Sequence, residues 1–454
     1  MLKNIKTKVS AYLDVHTFEV LTKSMSSSVV KVAGMFIAFL ISIYLGRTLG
    51  AEGLGIINLS FRIVNILIIF GMLGIMQIII REVAIAHEEK NHEHISNVMN
   101  TAYLMSGGMT LLISLVFIYL SPFLANTVFN EPRLTYPLMI ALLVMAPQAF
   151  SQMFSASLIG RRKIWQSNLA DQCLNVLISA LIFFVLWLYE VSLTVDIAAI
   201  VYAIGRLVVT VGMGLYWKKI LFDSKKKVYQ FKSLYKKAYP IFITSLSLAI
   251  MTNSGIIILG IISDSKNVGL YTVAARLAEL TTFLLHVANS AVSPKISSLY
   301  KQNRIKELET MLQKTTQFLF LIGLVFFITF IFLGEYILAI WGEEFKEAYW
   351  ILVILCFGQF INISTGAVGQ ILTMTGNQKK QRAIALKCLF VVIVLMPIFI
   401  SLWGSIGAAL ITTVGIASIN IASLYCAQKV TGLKIVRFLD IKGIMGRKRK
   451  GDVK

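Results

Sequence analysis

Arg62 and Arg276 occupy the same place in two copies of one pattern. The first copy reads Leu45-Gly46, Gly55, Arg62 and the second reads Leu259-Gly260, Gly269, Arg276, each matched pair lying 214 residues apart. Both arginines sit well inside apolar stretches. A charge in hydrocarbon costs about 3 kcal/mol on insertion scales, so such a face is expected to look into protein or water. When a membrane chain repeats itself and sets the same cation in both halves, a polar cavity between the halves is the expectation, and its chemistry is the holding of an anion.

Neighbours on the same stripes extend that reading. Asn58 lies four residues before Arg62 and Asn65 three after, and the repeat puts Thr272, Arg276 and Glu279 at the corresponding places. Spacings of three and four share one helical face. Arg62 lies about 10 Å beyond Gly55 along a helix, so snorkelling to head groups is the competing reading. Glu279 is spaced to pair with Arg276. Arg206, in the middle of another apolar stretch, is expected to face the interior, either in the cavity or paired with an acid such as Asp171. Lys31 and Lys387 lie nearer the ends of their stretches, where snorkelling and function are both open.

Amide and hydroxyl side chains recur at helical spacing: Gln148, Gln152 and Ser155; Thr252, Asn253 and Ser254; Gln359, Asn362 and Thr365. They would line the cavity or hydrogen-bond between helices. His286 and Asn289 carry the same two readings. Pro147 and Pro397 inside apolar stretches, with Pro240 and Pro294 at their ends, mark places where helices bend.

Other chemistries are poorly supported. His87-Glu88-Glu89 with His92 and His94 has no supporting ligand pattern and reads as a solvated loop, so no metal is expected. No phosphate loop of the form G-x-x-x-x-G-K-[ST] occurs, so ATP hydrolysis by that route is excluded and no cofactor is expected. Cys173, Cys356, Cys388 and Cys426 are too sparse for a disulfide framework.

The elements that must position these residues are transmembrane helices. Mean hydropathy is +0.77, and only 14% of the 454 residues are charged, against about a quarter in soluble proteins. Twelve apolar runs are long enough to span a bilayer: 25–45, 55–80, 98–120, 136–159, 168–188, 197–217, 239–262, 268–293, 315–333, 348–374, 383–402 and 406–427. With a cytoplasmic N-terminus, the inner segments hold 34 of the 43 Lys and Arg residues. The outer loops hold Arg47, Arg133, Lys266 and Lys346, and the runs themselves hold Lys31, Arg62, Arg206, Arg276 and Lys387. That asymmetry is the positive-inside bias, and it places both termini in the cytoplasm. The net charge of +21 therefore reads as topology signal and contact with anionic lipid, not as a nucleic-acid surface. Trp165, Trp187, Trp217, Trp341, Trp350 and Trp403 lie near run ends, as interfacial anchors do.

The fold class expected is an all-α membrane protein of twelve helices in two six-helix lobes, related by a pseudo-two-fold along the membrane normal. Residues 1–217 form the first lobe, 218–237 a basic cytoplasmic linker, 238–428 the second lobe, and 429–454 a basic cytoplasmic tail. Lys3, Lys6 and Lys8 beside Leu2, Ile5, Val9, Leu13 and Phe18 suggest an amphipathic helix on the inner surface. Gly160-Arg161-Arg162-Lys163 has a looser echo in Gly376-Asn377-Gln378-Lys379.

The stretch from Leu45 to Gly55 resembles the loop that opens the polysaccharide-transporter branch of the multidrug/oligosaccharidyl-lipid/polysaccharide exporter superfamily, and Gly269 to Arg276 resembles the start of the eighth span there. The similarity runs over the whole chain in span number, repeat and loop lengths. It implies a non-enzymatic flippase without cofactors, moving a lipid-linked oligosaccharide, such as an O-antigen or capsule repeat unit on undecaprenyl pyrophosphate, from the inner to the outer leaflet of the cytoplasmic membrane. Membrane lipids, and the polymerase and chain-length proteins of the same pathway, are the implied partners, and a monomer the implied state. Arg62, Arg206, Arg276 and Lys31 would hold the anionic head. Two alternatives stay open: a cation-coupled multidrug exporter, which typically carries acidic cavity residues, and an integral-membrane polymerase or transferase, which typically carries a large outer loop.

Overall fold

The computed structural model describes residues 15–220 and 229–435; the amphipathic N-terminal residues, the centre of the basic linker and most of the basic tail lie outside that range. Every regular element among the described residues is helical. This is what the bilayer demands, because a spanning segment must satisfy its own backbone N–H and C=O groups.

In chain order the longer helices are α1 (Val15–Met72), α2 (Ile75–Glu88), α3 (His92–Ala102), α4 (Gly108–Phe123), α5 (Thr135–Leu143), α6 (Met145–Gly160), α7 (Ile164–Asn168), α8 (Asn175–Leu188) and α9 (Val195–Ile220). They continue as α10 (Phe231–Ile262), α11 (Ser265–Leu280), α12 (Phe283–Lys301), α13 (Ile305–Leu338), α14 (Tyr349–Thr365), α15 (Val368–Met374) and α16 (Gln378–Thr431). Wider π turns interrupt the helices at Tyr103–Gly107, Leu124–Val128 and Leu169–Leu174.

Among the described residues, eight helices are long and apolar enough to cross a membrane, or nine if the pair bent by 51° at Ile241–Ser247 and Thr252–Ile262 is one span. Two of the eight are far longer than one crossing needs. Val29–Met72 has 44 residues and Gln378–Thr431 has 54, against about 20 for a single span. Each is two helices joined at a glycine: Gly50 has φ 70° and ψ −177°, and Gly404 has φ 55° and ψ −132°. Positive φ costs glycine little, so the chain can turn there. Length and hydropathy alone therefore fall short of the twelve spans read from the sequence. The run 268–293 is the clearest shortfall, since it divides between α11 and α12 at Thr281-Thr282 and carries Arg276, Glu279, His286 and Asn289.

The chain divides into two compact units. One holds the residues up to Asn253 with Asp264–Lys266, and the other holds Ser254–Ser263 with everything from Asn267 onward. Among the described residues the division falls inside α10. Several contacts account for this. Lys237 bonds Glu82 at 2.9 Å, the Gln230 N–H donates to Thr101 Oγ1 at 3.2 Å, and Gly74 packs so closely on the backbone of α10 that a Cβ would lie 2.7 Å from the Phe242 nitrogen. The first half of α10 thus belongs to the first unit.

Within the first unit, Leu59, Ile75, Ile79, Ile95, Met99, Leu134, Leu138 and Leu142 are almost wholly enclosed. The second unit closes over Ile296, Leu308, Leu312, Ile371, Leu372, Leu433 and Ile435. Apolar burial drives little association in lipid, so close backbone approach and interhelical hydrogen bonds hold the helices. Ser114 donates to the Leu142 carbonyl at 2.5 Å, and in the second unit Thr413 donates to the Ile354 carbonyl at 2.8 Å. Gly34 of α1 is the tightest such approach to the fifth span. A Cβ there would sit 2.6 Å from the backbone oxygen of Gln172. Gly34→Ala is expected to cost about 1–3 kcal/mol and to lower the melting temperature in detergent, whereas Gly108→Ala, which meets nothing within 4 Å, is expected to leave it within error.

Candidate functional site

The second half of α1 carries the first stripe. Asn58 is buried, and its amide donates to the Leu54 carbonyl one turn earlier at 2.7 Å. In the second unit Thr272 is also buried and donates to the Val268 carbonyl at 2.7 Å. Leu54 and Val268 stand at the same offset of 214 as the arginines. Both halves therefore use the first polar residue of the stripe on their own helix, and the cation one turn on is the group whose charge distinguishes the face.

Arg62 is half-buried and donates from Nη1 to Asn253 Oδ1 at 3.1 Å, 191 residues away and within the same unit. Asn253 is held for this by its own amide nitrogen, which donates to the Ala249 carbonyl at 2.8 Å and to Thr252 Oγ1 at 3.2 Å. The partner in this contact is a neutral amide oxygen, which takes one of the five guanidinium donors. Asn65 is exposed. Arg276 is half-buried in the second unit, with Glu279 exposed one turn later.

Arg206 has a different environment. Its Nη1 lies 3.3 Å from Asp171 Oδ1, with the two side chains 16% and 24% exposed. Of the two settings the sequence allowed for it, the structure shows the ion pair. Asp171 sits in the π turn Leu169–Leu174, between α7 and α8. Lys31 is exposed on the first half of α1, and no described contact brings it to Arg62.

The amides also separate. Gln148 and Gln152 are half-buried on α6, while Ser155, on the same face by spacing, is buried and paired with Ser167 at 2.5 Å. In the second unit Asn362 donates to Gln359 at 3.1 Å, and Thr365 contacts Asn420 at 3.4 Å. Asn420 joins this cluster from α16 and was not singled out by the sequence reading, because a lone amide in an apolar run carries no spacing signal. His286 is exposed, and Asn289 has a buried side-chain oxygen with no described partner.

The histidine-rich loop is an ionic clasp. No group of three or more His, Cys, Asp or Glu among the described residues is arranged to hold a metal. Glu82 accepts from Lys237 at 2.9 Å and lies 3.5 Å from His94 Nε2. Burial alone would raise the Glu82 carboxyl, but Lys237 and His94 outweigh it and hold the carboxyl below its ordinary value. Arg162 takes Glu88 at 2.7 Å. Arg133 is gripped by Glu52 and Glu131.

The sequence model of the polysaccharide biosynthesis protein family matches residues 20–300. The chain belongs to that family. It is a family of membrane transporters rather than enzymes, and the MatE family model also matches residues 240–398. The chain is 26% identical over 186 residues to the capsular polysaccharide biosynthesis protein CapF of Staphylococcus aureus, a stretch covering 41% of this chain and 47% of that one. It is 25% identical over 233 residues to the probable low-salt glycan biosynthesis flippase Agl15 of Haloferax volcanii, covering 50% and 48%. The chain thus spans about half the length of the curated relatives it matches. Among solved structures it is similar to an inward-facing multidrug resistance MATE family transporter of the MOP superfamily, with a TM-score of 0.70, 14% identity and coverage of 88% and 94%. The lipid II flippase MurJ in an inward closed conformation gives 0.68, 16%, 90% and 87%. Family member and fold neighbours agree on a multi-pass, all-helical membrane transporter.

Proposed function

We propose that this chain is a flippase that carries an undecaprenyl-pyrophosphate-linked oligosaccharide repeat unit from the inner to the outer leaflet of the cytoplasmic membrane by alternating access, for assembly of a surface polysaccharide. Both termini are cytoplasmic in this reading, and the two six-helix lobes of the repeat supply the alternating halves. Arg62 and its repeat partner Arg276 hold the anionic head, with Gln148, Gln152, Gln359 and Asn362 offering neutral hydrogen bonds to sugars. Lys31 serves the inner approach.

The single observation that carries the reading is the half-buried Arg62 guanidinium inside a span, braced by a neutral amide in a chain of the polysaccharide family. A cation so placed costs free energy unless it faces protein, water or an anion, and a pyrophosphate head is the anion that this reading supplies. The lipid tail stays in hydrocarbon throughout, so only the head needs a polar route.

The test is head-group crossing in vesicles. Protein reconstituted with a lipid-pyrophosphate oligosaccharide of one leaflet is expected to make the sugar accessible to a membrane-impermeant lectin within minutes, while empty vesicles hold it back. The match of residues 240–398 to the MatE family favours one second reading, a multidrug exporter. No lectin accessibility above empty vesicles, under proton and sodium gradients of both signs, together with expulsion of a cationic dye, overturns the proposal in favour of that second reading.

A further inference from the structure

The first unit holds an apolar groove of about 330 Å³ between the first half of α1 and α8, lined by Leu40, Ile41, Tyr44, Ala180, Phe183, Phe184 and Trp187. Ile41 and Phe183 form its floor at 4% and 3% exposure, and Leu40, Phe184 and Trp187 form an open rim. Its size is at the small end of ligand sites. A short stretch of hydrocarbon chain fits, and a sugar head does not. Both walls are membrane helices, and Tyr44 and Trp187 stand at the ends of their spans. With the inner-loop charge bias those are the outer ends.

Lipid tails are as apolar as this groove, so transfer from water supplies no preference for it over the surrounding bilayer. Selectivity has to come from van der Waals fit to the rings and from what lies next to them. A line of ring contacts leads inward from the groove. Tyr44 to Phe183 is 5.9 Å, Phe183 to Tyr202 is 5.7 Å, and Tyr202 to Phe61 is 5.1 Å. Phe61 directly precedes Arg62 on α1. A series of ring contacts thus links the groove wall to the helix segment that carries the cation.

We infer that this groove seats a stretch of the prenyl tail of the lipid whose anionic head Arg62 engages, an inference that rests on the function proposed above. Head and tail are then read by one unit, the head by a guanidinium and the tail by an aromatic slot in the outer half of the span.

The experiment uses the full chain in nanodiscs and two photoreactive probes, an undecaprenyl phosphate and a phospholipid, each with a diazirine in its chain. The prenyl probe is expected to label peptides of α1 and α8 at least about fivefold above the phospholipid probe, and Ala180→Phe, which fills the slot, to remove that excess. Leu40→Trp narrows the rim at a position already 49% exposed, so it reports on the slot even if Ala180→Phe folds poorly. Equal labelling by both probes, or an excess that survives Leu40→Trp, overturns the inference. Failure of the function itself looks different: the lectin assay shows no head crossing while selective tail labelling persists.

Discussion

Arg62→Ala is expected to reduce surface display of the glycan at least about tenfold at normal protein levels, a loss equivalent to about 1.4 kcal/mol or more of head-group binding during passage. Hydrogen bonds to charged groups contribute about 1.5–3 kcal/mol, and a guanidinium offers a phosphate two parallel ones. Arg62→Lys keeps the charge and loses the fork, so partial display is expected. Asn253→Ala removes the brace at 3.1 Å without removing the cation, and is expected to fall between the two. Because Asn253 acts through Arg62, adding Asn253→Ala to Arg62→Ala should cost nothing further, the non-additivity of residues that share one interaction. Full display in a normally expressed Arg62→Ala chain sinks the head-group role.

How much of this was legible beforehand differs by residue. The repeat at offset 214 was fully visible in the sequence, and the structure gives it a local meaning in the matching bonds of Asn58 and Thr272 to their own helices. Polar spacing alone does not show these bonds, since it cannot distinguish a side chain turned to a ligand from one bonded back one turn. Ser155 shows the same limit, because its partner Ser167 lies across a turn. Long-range partners were the least legible. Nothing in the spacing ties Arg62 to Asn253, and the choice between cavity and ion pair for Arg206 needed the third dimension.

The eight or nine spans among the described residues fall below twelve for an instructive reason. Gly50 and Gly404 turn the chain without ending the helical hydrogen-bond pattern for more than a residue, so two crossings join into one long helix. Conversely, 268–293 divides between α11 and α12 at Thr281-Thr282, so it does not count as one span although it holds the repeat arginine. The boundary inside α10 was invisible for another reason: it depends on Glu82, Thr101 and Gly74 gripping residues more than a hundred positions away.

The Asp171 and Arg206 pair predicts the largest effect on the fold. The two groups lie 3.3 Å apart and largely shielded, where neither has much solvent to fall back on. Removing one partner of a buried pair costs about 3–5 kcal/mol because the other is left uncompensated. Asp171→Ala is therefore expected to lower the detergent melting temperature by several degrees and cut the membrane level of the protein. Replacing both groups with apolar side chains of similar volume removes the stranded charge, and pairs treated this way are often neutral or more stable. Asp171→Leu with Arg206→Met should accordingly restore the melting temperature. Its transport then decides what the pair is for. If the pair only joins the π turn Leu169–Leu174 to α9, the double variant flips at about half the parental rate or better, within the roughly 0.5 kcal/mol spread of neutral changes. A double variant that folds at parental stability and does not transport assigns Arg206 to the anionic head alongside Arg62, with Asp171 as the carboxylate that the head must displace.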